Sequence, residues 1–89
     1  RTNGSRPEMK THELKCHPEP FQAITQGTKN FEVRDCTDRA FNEGDCLYLR
    51  EWNPMNGQYT GRFVSKNVAY VSRGPSWGLP TNLVVMSLA

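Results

Sequence analysis

The apolar positions of this chain change their spacing several times, and each change marks an element. In "THELKCH", His12, Leu14 and Cys16 alternate with Glu13, Lys15 and His17, the period of two expected of a half-buried strand. "HPEPFQAITQG" follows, with Pro18 and Pro20 in a first turn and Glu19 between them. Phe21 and Ile24, with Ala23 beside them, can dock one face, and Gly27 is placed as a left-handed stop. This predicts one short helix. Alternation returns in "NFEVR", where Phe31 and Val33 face one way and Asn30, Glu32 and Arg34 the other. The apolar pair is expected in the core, and the charged pair on the opposite face.

"DCTDRAFNEGD" reads as a loop with turn chemistry, and "CLYLREW" as a second β-prone run. Asn56-Gly57 is a hairpin signal, lengthened by Pro54, with "GRFVSKNVAYVS" as the returning strand. "LVVMSL" closes the chain as a nearly all-apolar strand. Strands are thus expected over residues 46 to 51, 63 to 71 and 83 to 88, with Phe31, Val33, Leu47, Leu49, Val68 and Val85 as core residues. The order β-α-β-β-β-β gives an α+β fold, mainly β, of about five strands and one short helix. Closure into a small barrel would hide the sheet edges.

Length and composition narrow the function. Eighty-nine residues make one domain. The first ten, "RTNGSRPEMK", lack periodicity and read as a disordered leader or cloning remnant, leaving residues 11 to 89 as the domain. Eleven Lys and Arg against nine Asp and Glu give a net charge of only +2, which excludes nucleic-acid binding through bulk charge and requires a local patch. The three cysteines, Cys16, Cys36 and Cys46, show no C-x-x-C spacing, which argues for a reducing compartment, the cytoplasm. A metal site of Cys16, His17 and Cys36 is disfavoured because small buried thiols are commonly core residues, and no metal or cofactor is expected. No apolar run approaches the ~20 residues of a membrane span, so no membrane partner is expected.

One stretch stands out chemically. "GTKNFEVR" places Lys29, Glu32 and Arg34 within six residues. As a solvated strand face these charges would contribute at most ~1 kcal/mol per pair. As a site, an Arg fork and a Lys point charge suit phosphate oxygens, while a carboxylate accepts from the amino and ring N–H groups of a base. The segment resembles the G-x-K-x-x-E-x-R motif of ASCH domains, a branch of the PUA-like superfamily, with Gly27, Lys29, Glu32 and Arg34 each in place. "HELKCHPEPFQAI", "DRAFNEGDCLYLREW", "YTGRFVSKNVAYV" and "LVVMSL" extend the resemblance to an ASCH-like group found in bacteria, plasmids and phages, from about His12 to Leu88.

The resemblance implies a PUA-like pseudo-barrel with a cleft floored by the motif strand, in a superfamily whose members bind RNA or act on modified nucleosides. Relatives that hydrolyse acetylated cytidine carry a lysine at the position of Lys29, a threonine three residues on, and a distal glutamate from a helical insertion. Here the threonine position is Glu32 and the insertion is absent. A lone lysine must also shed its proton to act as nucleophile or base, and a neighbouring carboxylate opposes that.

Further candidates surround the motif. Asp38 and Arg39 could extend a basic rim, His12 could support the site from behind, and Trp52, with Tyr59 across the hairpin, could stack on a base. Lys66, Arg73 and Trp77 form a weaker basic-aromatic group. The expected function is a nucleic-acid or nucleotide binding module, with RNA favoured, using Lys29, Glu32, Arg34, Asp38, Arg39, His12 and Trp52. The alternatives are an enzyme on RNA or modified nucleosides, a ribonuclease or an acylcytidine amidohydrolase, with Lys29 and Glu32 as catalytic candidates, and a protein-interaction adaptor. A monomer is expected.

Overall fold

The computed structural model describes residues 9–89 and shows a mainly β, α+β domain. Strand β1 (Thr11–Cys16) leads into helix α1 (Pro18–Gln26), then β2 (Phe31–Asp35), β3 (Cys46–Asn53), β4 (Gln58–Arg73) and β5 (Leu83–Leu88). These form one five-stranded sheet in the order β1-β3-β4-β5-β2. β1 and β3 run parallel, and every other pair is antiparallel.

Strand β4 is long enough to serve two halves of the sheet. Its first part pairs with β3 as far as Asn67, and its second, from Val68, pairs with β5. The sheet therefore curls, but it does not close: β1 and β2 lie at its two ends with no ladder between them. The barrel expected from the strand count is open along this seam. Arg34 spans it, donating from its guanidinium to the carbonyl oxygen of Lys15 at 2.8 Å.

Helix α1 forms where the spacing predicts it. Pro18 and Pro20 occupy a first turn that needs no intrahelical N–H partners, and Phe21 and Ile24 bury against the sheet. Gly27 ends it at φ +83°, a conformation that costs other residues a Cβ clash, and the following N–H groups of Thr28 and Lys29 turn back to Ala23 O. This stop launches Lys29 into β2 from a fixed point.

The core consists of Leu14, Cys16, Phe21, Ile24, Phe41, Leu47, Leu49, Val68, Val84 and Met86. Leu47, Leu49 and Val68 sit where their alternation placed them. Phe31 and Val33 do not: they are 46 and 45% exposed, and Glu32 between them is buried. Their neighbour Val85 is only half-buried, since it pairs with Val33 on the same outer face. The period of two is right and the facing is reversed. Two cations flanking Glu32 offset the desolvation cost that would otherwise keep a carboxylate out.

Phe41 is buried from within the loop between β2 and β3. That loop is pinned by Asp45, which accepts from the backbone N–H groups of Lys10 (3.1 Å) and Asn42 (3.0 Å) and from His12 Nε2 (2.8 Å). Arg73 holds the same loop, donating to Phe41 O at 2.7 Å. The leader expected over residues 1 to 10 lies outside the described residues as far as position 8, and Lys10 at its end is tied to the domain by Asp45 and by Cys46 N–H.

Candidate functional site

The seam between β1 and β2 is a cleft of about 400 Å³. One wall is the end of β1 and the start of α1, contributing Lys15, Cys16, His17 and Pro20; the other is Lys29 and the whole of β2. The ladder register explains why the cleft is polar. In β2 the N–H of Cys36 and the C=O of Asn30 pair with the β5 side, at Asn82 O and Leu88 N. Residues 31, 33 and 35 therefore turn their backbone groups toward the seam. An open edge of main-chain donors and acceptors lies along the cleft.

Glu32 is the centre of the side-chain arrangement. Its Oε1 accepts from Lys29 Nζ at 2.6 Å, and its Oε2 accepts from Arg34 Nε at 2.9 Å and from the terminal nitrogen at 2.8 Å. The carboxylate side chain is 5% exposed, while Lys29 and Arg34 are 21 and 25% exposed. The cations thus stand at the rim over a buried anion. Lys29 Nζ also donates to Phe31 O at 2.7 Å, and Arg34 to Lys15 O, so both heads are held from two directions. The triad carries one net positive charge. Oε2 is filled by its two Arg34 donors, while Oε1, with Lys29 as its one donor among the described residues, keeps a lone pair for a ligand donor.

Cys16 sits against this group. Burial pushes its thiol pKa up, and the Glu32 carboxylate adds to the rise, while Arg34 and Lys29 pull against it. It lines the cleft with a thiol whose ionisation is disfavoured. Glu51, opposite Cys16 in the β1–β3 register, is a second buried carboxylate, bonded by Thr60 Oγ1 at 2.6 Å. Asp35, at the far end of the cleft, accepts from Thr37 N–H and Asn82 Nδ2, and the Thr37 hydrogen bond leads in holding its carboxyl below the usual range. Among the described residues no three His, Cys, Asp or Glu side chains converge as metal donors.

Of the residues predicted from sequence, the structure brings Lys29, Glu32 and Arg34 together. Asp38 and Arg39 are exposed in the loop after β2 and do not line the cleft, and Arg39 lies 5.9 Å from the Phe41 ring. His12 is at the other end of β1, buried against Asp45 and the Phe41 ring, where it braces the loop. Trp52 is on the outer face of the sheet and reaches the cleft only through Lys15, whose Nζ sits 3.9 Å from its ring centroid. Lys15, Cys16, His17 and Pro20 were missed as cleft residues. Nothing in their local pattern announces that β1 ends beside β2, because that follows from the strand order.

A family model described as a domain of unknown function, DUF3850, matches residues 11–88. An uncharacterized 12.9 kDa protein in the GpA 3' region of Escherichia phage P2 is 37% identical over 68 residues, 76% of this chain and 60% of that protein. The chain thus spans less than two thirds of that relative's length. Among the described residues no helix is long and apolar enough to cross a membrane.

Proposed function

The chain belongs to the DUF3850 family, and from its cleft we propose that it is a nucleotide-binding or single-stranded RNA-binding module of the ASCH, PUA-like kind, working in a reducing cytoplasm. The observation that carries this reading is the buried Glu32 carboxylate fixed between two rim cations in a cleft of nucleotide size. The partly exposed Arg34 and Lys29 offer N–H donors to phosphate oxygens, and Glu32 Oε1 offers an acceptor position to the edge of a base. The free backbone edge of β2 adds main-chain groups for the sugar and base. The G-x-K-x-x-E-x-R spacing supports the same assignment, because Gly27 ends the helix where Lys29 must start its turn into the cleft.

Amide hydrolysis is the weaker alternative. Lys29 Nζ is committed as a donor to two acceptors within 2.7 Å, which suits a fixed cation better than a nucleophile. The test of the binding reading is a salt titration of short RNA strands against the parent and the Lys29→Ala and Arg34→Ala variants. Each variant should weaken every sequence alike and lower the salt slope by about 0.7 per lost phosphate contact. A parent that binds no RNA at low salt, or variants that match it, would remove the proposal.

A further inference from the structure

Outside the cleft, the outer face of β1, β3 and β4 has an unusual composition. Tyr48, Arg50 and Trp52 point outward from β3, Lys15 stands beside Arg50 from β1, and Phe63 is its partner on β4. Tyr59 pairs with Trp52 across the hairpin. The rings meet in two pairs, Tyr48 with Phe63 at 5.1 Å and Trp52 with Tyr59 at 4.9 Å between centroids. Cations are seated on them: Lys15 Nζ lies 3.9 Å from the Trp52 ring and the Arg50 guanidinium 3.7 Å from that of Tyr59.

We propose that this face is a stacking track for single-stranded RNA, continuous with the cleft through Lys15; the proposal rests on the cleft reading and extends its ligand from one nucleotide to a strand. Three features favour this occupant. The outward positions of the paired stretch contain no Val, Leu, Ile or Met, so the exposed apolar surface is aromatic, the kind that every base can stack upon. Positive charge is interleaved with the rings, and while Glu13 engages Arg50 at 2.8 Å, Lys15 makes no ion pair among the described residues. Lys15 also belongs to both surfaces, lining the cleft and covering Trp52, so a strand anchored at Arg34 leaves the cleft over the rings. Phe63, 59% exposed, is the most open ring along its path, and Tyr59, 38% exposed, presents the surface that Arg50 and Trp52 leave uncovered.

The test compares oligouridylates of two and eight nucleotides at one low salt concentration, using the parent, Arg34→Ala, and a Tyr59→Ala/Phe63→Ala double variant. The replaced rings are exposed, and circular dichroism is used to check that the double variant is folded. The eight-mer should bind the parent at least tenfold more tightly than the two-mer. The double variant should lose about tenfold or more of the eight-mer affinity and leave the two-mer unchanged. Arg34→Ala should weaken both lengths. An eight-mer that gains nothing over the two-mer, or a double variant that binds it as the parent does, would overturn the track and leave the face to a protein partner. If Arg34→Ala changes neither length while the double variant weakens the eight-mer, the cleft reading fails and the track stands.

Discussion

Arg34 on β2 donates to the carbonyl oxygen of Lys15 on β1 at 2.8 Å, while its other contacts hold Glu32, so one guanidinium both bridges the open seam and covers a buried anion. The fold and the candidate site therefore share a residue. Nη1 is engaged by neither Glu32 nor Lys15 O, so among the described residues it is the part of the guanidinium left to meet a phosphate without opening the seam.

Removing Arg34 should cost stability as well as affinity. Arg34→Ala leaves Glu32 buried with Lys29 as its remaining cation, and we expect a loss of about 1–3 kcal/mol by urea denaturation. In a Glu32→Gln background the same replacement should cost less, because no stranded charge remains. Equal costs in both backgrounds would show that Arg34 acts on the seam alone.

Glu32→Gln should also alter choice among bases. The change exchanges an acceptor for an amide without emptying the cleft, so preference among short A, C, G and U strands should shift by ~1–3 kcal/mol. The salt slope should stay within a fraction of one ion, since Glu32 meets no phosphate in this scheme. A uniform change across all four strands would assign Glu32 to holding the cations only.

Acetylated cytidine should not be turned over. Lys29 is pinned by Glu32 and Phe31 O, and the position three residues on holds a carboxylate where the acetylcytidine hydrolases that the motif resembles carry a threonine hydroxyl. Incubation of the purified domain with the nucleoside and chromatographic detection of cytidine decides this. Turnover that disappears in Lys29→Ala would replace the binding module with an enzyme.

The element order, the helix with its glycine stop, the hairpin and the closing strand were all legible in the sequence, because each depends on signals within a few residues. Facing was less so. A strand of period two defines two faces without saying which is inside, and in β2 apolarity pointed the wrong way for Phe31 and Val33. The clue was present in Lys29 and Arg34, which flank Glu32 and could accompany it inward. Phe41 was invisible as core, since a single apolar residue in a turn-rich loop has no periodicity to read. The opposite wall of the cleft was equally hidden: Cys16 and Lys15 meet β2 only through the strand order, which joins residues far apart in sequence.

That difference in facing is measurable. Phe41→Ala should cost about 3–5 kcal/mol, the range for a fully buried aromatic. Phe31→Ala, on the outer face, should cost about 1 kcal/mol or less. Comparable costs for the two would restore the inward placement of Phe31.

The last prediction concerns acid stability and the buried Asp45. Burial by itself pushes this carboxyl upward, but the hydrogen bond from His12 and the N–H groups of Asn42 and Lys10 outweigh it and hold the pKa below the usual carboxylate value. A group depressed in the folded state contributes stability that is fully present above its unfolded pKa, about 3.9, and lost as pH falls through the lower folded value. Asp45→Asn keeps the shape but weakens the acceptor for all three donors, one of them a histidine. At pH 7 the variant should be less stable by about 1–3 kcal/mol. As the pH is lowered below about 4 the parent should lose its advantage, and the two denaturation midpoints should converge. A gap that stays constant from pH 7 to pH 2 would mean that the aspartate acts through shape, and that its ionised form contributes nothing to holding Lys10, His12 and the Phe41 loop together.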